Sequence, residues 1–211
     1  MASNMIQATV EIQGTKPLLW HAFTPDSIPA DGKKEKTGVA GNDPQEWRRS
    51  FLADHEGRLF VNPEYIFGCL RDGARHTKKG RGSIMSNVAA TLQIVDERIY
   101  TDRYFPRNGA TGPFDPASAD RPPIEITEPV YLDVRSVKNP STKGRNVRYR
   151  VAASPGWRAS FTILWDKTIV SRTEMEAVIT DAGRLVGLGD GRSIGFGRFM
   201  VVPGSITFTE V

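Results

Sequence analysis

Five glycines and two arginines crowd residues 187–198, which read Gly-Leu-Gly-Asp-Gly-Arg-Ser-Ile-Gly-Phe-Gly-Arg. Glycine admits positive φ and lets another backbone approach closely, so exposed amides in such a loop can meet phosphate oxygens. Gly187, Gly189, Gly191, Gly195 and Gly197 would shape that surface, and Arg192 and Arg198 would add charge. A tight helix-to-strand turn also draws on glycine at the helix C-terminus, but a pair would serve it. The run is not the dinucleotide fingerprint, which follows a strand and opens a helix; here a predicted helix precedes and a predicted strand follows.

Two other stretches concentrate positive charge. Between positions 71 and 81 lie Arg71, Arg75, His76, Lys78, Lys79 and Arg81, with Asp72 as the lone acid. From Val134 to Trp165, Arg135, Lys138, Lys143, Arg145, Arg148, Arg150 and Arg158 occur without one Asp or Glu. That window carries +7 in a chain of net +4, which leaves the remainder at −3. Positive charge segregated in this way, with aromatics nearby, is the footprint of a polyanion binder more than of a solvated basic face.

Other chemistries lose ground. Cys69 is the sole cysteine, which excludes an intramolecular disulfide and a cysteine zinc cluster. The histidines, His21, His55 and His76, have no HExxH spacing, so no metal site and no cofactor are expected. Neither a GxSxG elbow nor a GxxxxGK[ST] loop occurs. With 211 residues, 39% of them hydrophobic and 25% charged, the chain can bury a core within one domain. Its apolar runs fall far short of the roughly 20 residues of a spanning helix, and Met1–Met5 lack signal-peptide order. The expectation is a soluble, cytoplasmic protein.

The elements that must hold these groups follow from periodicity. Ile6, Ala8, Val10 and Ile12 alternate with polar residues, which predicts a half-buried strand over 5–13. Residues 24–46, rich in Gly, Pro, Asp and Lys, predict a long loop. Asn62-Pro63 opens a helix whose apolar face is Ile66, Phe67, Leu70 and Ala74, reaching about residue 76. Arg71, Arg75 and Lys78 would share another face, and Lys79–Ser83 would form a flexible exit. Cys69 beside Leu70 is expected half-buried. Val88, Ala90, Leu92 and Ile94 predict a second strand, and the prolines of 101–128 an insertion without regular structure.

Val130, Leu132 and Val134 begin a strand toward Lys138; Val147, Tyr149 and Val151 alternate with Arg148 and Arg150 on the return. The result is a projecting hairpin with one apolar and one basic face. Phe161, Ile163 and Trp165 mark another strand. Ser171-x-x-Glu174 or Thr173-x-x-Glu176 caps a helix with the stripe Met175, Val178, Ile179, Ala182, Leu185 and Val186. Phe199–Val202 close the core, with a short tail strand at 205–210. The order β-α-β, β-α-β is that of an α+β, ferredoxin-like (RRM-like) core with a hairpin thumb and long loop insertions.

Gly187-Leu188-Gly189, five residues, then Gly195-Phe196-Gly197, after the last helix of such a core, resembles the glycine-rich loop of the RAMP superfamily, the RNA-binding proteins of CRISPR systems. On this resemblance residues 1–211 form a single RAMP-like domain, with insertions at about 24–60 and 101–128 and a hairpin at 134–158. The basic helix after Asn62-Pro63 and the hairpin make the chain most similar to the backbone subunits that polymerise along a guide RNA, and the tail Asp181–Asp190 is also similar to small phage proteins. The resemblance implies a non-catalytic RNA-binding protomer, part of an antiviral ribonucleoprotein. Its partners would be a guide RNA, a complementary DNA or RNA target, further copies head-to-tail as a helical filament, and other effector subunits. Arg71, Arg75, His76, Lys78, Lys79, Arg81, Lys138, Lys143, Arg145, Arg148, Arg150 and the glycine loop would bind RNA.

Tyr149, Tyr104 or Phe105 could stack on bases, and Tyr149 could equally face the core; Trp157 is a further stacking candidate, the other tryptophans being core anchors. Two alternatives remain. One is a RAMP endonuclease using His21 or His76, or a loop aspartate such as Asp26 or Asp31, although His21 in an apolar context reads as structural and His76 as a phosphate contact. The other is a phage single-strand nucleic-acid-binding or structural protein, separable by its ribose preference.

Overall fold

The structure, a computed structural model, describes residues 4–24, 43–138 and 144–211. Its elements are β1 (Met5–Gly14), β2 (Leu18–Leu19), β3 (Arg58–Val61), α1 (Pro63–Gly73), β4 (Lys78–Lys79), β5 (Gly82–Ser83) and α2 (Met85–Thr91). There follow β6 (Gln93–Ile94), β7 (Ile99–Tyr104), β8 (Val130–Lys138), β9 (Arg145–Ala153), β10 (Arg158–Asp166), α3 (Arg172–Asp181), β11 (Phe199–Val201) and β12 (Thr207–Glu210). Contacts divide the chain into two compact units. The first is Met1–Leu18, Phe60–Asp102 and Pro155–Val211; the second is Leu19–Leu59 and Arg103–Ser154, the stretches that hold the predicted insertions and most of the hairpin.

The first unit is built on an antiparallel sheet of order β11-β1-β10-β7-β3, with β12 also pairing β1 and β6 also pairing β10. Strand β1 pairs with β10 from Met5↔Asp166 to Gln13↔Arg158. Its alternation works as expected: Ile6, Ala8, Val10 and Ile12 are all fully buried, and an offset of one residue would turn the whole set to solvent. Taken as β1, α1, β7, β10, α3 and β11, the strands follow the 4-1-3-2 order of a split βαβ fold. The core is α+β and ferredoxin-like.

Helix α1 starts where Pro63 occupies the first turn, after Asn62 at φ −73°. Helix α3 opens with a full capping box: the Glu174 amide donates to Ser171 Oγ at 3.3 Å, and the Ser171 amide donates to Glu174 Oε2 at 2.8 Å. Of the two boxes the sequence allowed, Ser171 is the one formed. α3 then widens into a π turn over Ala182–Val186. Met175, Val178, Ile179 and Ala182 are buried as the stripe predicts, whereas the wider turn rotates Leu185 out to 48% exposure.

Several expectations are corrected. The predicted strand 88–94 is helix α2 followed by two residues of strand; Ile84, Val88 and Thr91 bury at helical spacing while Ala90, which completed the alternation, is exposed. Helix α1 ends at Gly73, not 76, because the Arg75 and His76 amides turn back to the Asp72 and Gly73 carbonyls. The flexible exit is a two-stranded hairpin, β4 with β5, turning at Gly80 with φ +60°. Part of the insertion read over 101–128 is strand, since β7 runs to Tyr104. Cys69 is fully buried rather than half-buried, and burial pushes its thiol up to about 12. Most of the loop 24–46 lies outside the described residues, as do Asp26 and Asp31.

The second unit contains a three-stranded sheet of order β2-β9-β8. Trp47, Phe51, Phe105 and Phe114 form its aromatic cluster, with centroids 4.9 Å apart for Phe51–Phe105 and 5.7 Å for Trp47–Phe105. Beside them Arg48 sits over the Trp47 ring and donates from Nη1 to the carbonyls of Pro116, Ala117 and Ala119 at 3.0, 3.0 and 2.6 Å. A single guanidinium thereby holds a segment with no regular structure of its own.

Candidate nucleic-acid interface

In the first unit the glycine loop packs on α1. All five of its glycines have positive φ: +85° at Gly187, +70° at Gly189, +71° at Gly191, +94° at Gly195 and +67° at Gly197. Their reasons differ. A Cβ on Gly197 would lie 1.8 Å from the Leu188 carbonyl oxygen, and one on Gly187 would lie 2.7 Å from that of Phe196. These two glycines let the loop cross itself, and the Leu188 amide closes the crossing on the Gly197 carbonyl at 2.9 Å. At Gly195 nothing lies within 4 Å of the same point.

The amides are largely engaged inside the protein. Those of Gly187, Leu188, Ile194, Gly195 and Phe196 donate to loop or π-turn carbonyls, that of Gly197 donates to the Pro17 carbonyl, and that of Gly191 donates to Asp190 Oδ1. The loop therefore presents side chains more than a cradle of amides. Arg192 is half-buried, Ser193 exposed and Ile194 63% exposed. Arg198 is turned inward: its Nη1 is buried with no hydrogen-bond partner among the described residues, and its carbonyl accepts the Thr15 and Lys16 amides.

Three residues of α1, spaced i, i+4 and i+7, meet this loop. Burial raises the Tyr65 hydroxyl above its ordinary pKa, with Asp190 of the loop adding to the rise and Arg192 opposing it. Cys69 Sγ lies 3.7 Å from the Ala182 carbonyl and feels Arg192 and Arg198. Asp72 holds two arginines: its Oδ1 accepts from Arg71 Nε at 3.2 Å and Nη2 at 3.0 Å, and its Oδ2 lies 3.6 Å from Arg192 Nη1. Of these, Tyr65 drew no notice in the sequence and Asp72 counted only as an opposing charge. Their helical spacing with Cys69 was the available signal.

The cations of residues 71–81 are disposed around the end of α1. Arg71, Arg75, His76, Lys78, Lys79 and Arg81 are all exposed. They do not share one helix face, since Arg75 and His76 lie in the turn beyond α1 and Lys78 lies on β4. Lys79 pairs with Glu174 at 3.0 Å, and Thr77 Oγ1 donates to Asp181 at 3.0 Å, so the β4–β5 hairpin is tied to α3. Arg75, His76, Lys78 and Arg81 have no ion-pair partner among the described residues. Trp157 is unavailable for stacking: it is fully buried, its Nε1 donates to the Lys16 carbonyl at 2.9 Å, and a Cβ on Gly14 would collide with its ring.

The hairpin of the second unit buries both faces at its base, Leu132 and Val151 on one and Asp133 and Arg150 on the other, and opens toward its tip. Residues opposite one another share a face, and the register sets Asp133 against Arg150 and Arg135 against Arg148. Arg135 pairs with Asp133, Arg148 with Glu46, and Arg150 is only 6% exposed. The face read as basic is thus held by acids that stand just before the window and far upstream. On the other face Val134 is 42% exposed, with Val147 and Tyr149 half-buried. Lys138 and Arg145 are exposed at the far end of the ladder, while Lys143 lies outside the described residues. Tyr104 is 51% exposed, but Phe105 is buried in the aromatic cluster. His21 is exposed rather than a core histidine.

No family model matches the chain, and no curated protein matches it by sequence. Among solved structures it is similar to a chain in "Cryo-EM structure of the Type III-B Cmr-beta bound to cognate target RNA", with a TM-score of 0.47 and 13% identity over 98% of this chain and 61% of that chain. The chain thus spans about three-fifths of the length of that structure's chain. The ferredoxin-like core is defined by its strand order and connectivity. Among the described residues no helix is long and apolar enough to cross a membrane.

Proposed function

We propose that the chain is a non-catalytic RNA-binding protomer that assembles head-to-tail along a guide RNA within an RNA-guided nucleic-acid-targeting complex. The observation that carries this reading is the packing of the glycine loop against α1. It links Arg192 through Asp72 to Arg71, next to the exposed Arg75, His76, Lys78 and Arg81. Lysine and arginine neutralise phosphates without reading sequence, which suits a subunit that must accept any guide. Base pairing of the guide then reads the target, DNA or RNA. In the second unit, Lys138, Arg145 and the half-open face of Val134, Val147 and Tyr149 offer charge with an aromatic ring for stacking, worth about 1–3 kcal/mol per base. A contact repeated between copies without closure produces an open filament, to which other effector subunits would attach.

Purifying the full chain from its native locus and sequencing the nucleic acid that accompanies it tests the reading. A discrete small RNA, protected at regular intervals on an assembly far larger than the 23.3 kDa chain, is expected. A bare monomer, or one carrying random DNA, overturns it. The RNA should remain intact on incubation; cleavage lost on His21→Ala or His76→Ala would instead identify a nuclease.

A further inference from the structure

Asp72 is out of place on a surface that binds a polyanion. A carboxylate there repels phosphates, yet this one stands between two guanidiniums, Arg71 from its own helix and Arg192 from the glycine loop. Its side chain keeps 24% of its exposure, so it is reachable from solvent. One turn earlier on the same face is Gly68, where a Cβ would meet nothing within 4 Å. Glycine inside a helix costs about 1 kcal/mol relative to alanine, and here no neighbour among the described residues requires it. The helix surface beside Asp72 is left clear at a cost in helix stability.

We propose that Asp72 and the bare helix surface at Gly68 form a ribose subsite, in which the Asp72 carboxylate accepts the 2′-hydroxyl of bound RNA and thereby selects RNA over DNA. This rests on the RNA-binding reading above. A sugar seated over Gly68 brings its hydroxyl to a carboxylate that can only accept, while Arg71 and Arg192 turn toward the flanking phosphates. Deoxyribose lacks the donor, so DNA would leave the carboxylate facing phosphates without compensation. The two arginines are what make a carboxylate tolerable here: the three groups together are net positive.

The test compares binding of the full chain, freed of nucleic acid at high salt, to single-stranded RNA and DNA of one sequence at one ionic strength. The unmodified chain should prefer RNA. Asp72→Ala should cut the RNA-to-DNA affinity ratio by about tenfold, the weight of one hydrogen bond to a charged acceptor, mostly through tighter DNA binding. Gly68→Ala should raise the melting temperature and yet weaken RNA binding, a pairing that a purely structural glycine would not give. An unchanged ratio in Asp72→Ala, or Gly68→Ala binding RNA as well as the parent, overturns the subsite while leaving RNA binding intact. Equal affinity of the parent for RNA and DNA also overturns it. Failure of the parent to bind either polymer would instead remove the underlying functional reading.

Discussion

The two basic regions of this molecule look alike in sequence and differ in structure. Around the end of α1, Arg75, His76, Lys78 and Arg81 are exposed, and no acid pairs with them among the described residues. On the β8–β9 hairpin, Arg135 and Arg148 are held by Asp133 and Glu46, and Arg150 is buried. The first region leaves most of its charge exposed and unpaired among the described residues, whereas the second pairs or buries three of its arginines. Counting arginines in a window therefore overstates what is available for binding. Unless the acids that fold onto the window are known, the count measures composition and not potential.

The largest effects should come from the backbone that supports the first region. Gly197→Ala places a Cβ against the Leu188 carbonyl at positive φ, and should cost about 3 kcal/mol or more. Gly195→Ala, with open space around it, should cost only about 1 kcal/mol, because the φ penalty alone remains. Urea midpoints of the two variants separate these cases. Equal losses would mean that the loop crossing is not as described.

In the second region Arg48→Ala strands three carbonyls at once, and about 2–3 kcal/mol of stability should go with it. Protease cleavage within residues 105–129 should be the first sign. Arg148→Ala leaves Glu46 with 13% of its side chain exposed and no arginine. A loss of about 1–2 kcal/mol is expected, with RNA affinity nearly unchanged. Arg75→Ala and Arg81→Ala should do the reverse: stability within about 0.5 kcal/mol, and a salt slope of binding shallower by about one per charge removed. Thermal melts and binding titrations over a salt series would break the comparison if Arg148 behaved like Arg75.

The smallest effect concerns α3. Ser171→Ala should cost about 1 kcal/mol by removing the cap. The Ser171 amide and Lys79 hold the Glu174 carboxyl below the usual glutamate range. Its contribution to stability is thus fully present above that ordinary range and is lost as pH falls through the lowered value. Glu174→Gln should flatten that limb of a stability-against-pH curve, and an unchanged acid limb would count against the pairing.

Strand β1 and the capping box of α3 were legible from sequence because their signals are local. Alternation of Ile6, Ala8, Val10 and Ile12 needs only a sheet with one buried face, and Ser171 with Glu174 satisfies amides three residues apart. The glycine loop was legible as a loop for the same reason. Which glycine serves which purpose was not, because the crossing of Gly187 with Gly197 depends on a contact that spacing cannot specify. Residues 88–94 misled because Val88 and Leu92 fit a helix and a strand alike, and packing against the rest of the unit chose the helix as far as Thr91. The hairpin arginines misled because Glu46 lies about a hundred positions upstream. The sequence by itself determined the alternation of β1, the proline that opens α1, the turn glycines and the total charge; Asn62, which also reads as a cap, makes no side-chain cap bond. Only tertiary structure decided which charges remain available and where α1 meets the loop, because ion pairing and close backbone approach depend on neighbours in space rather than along the chain.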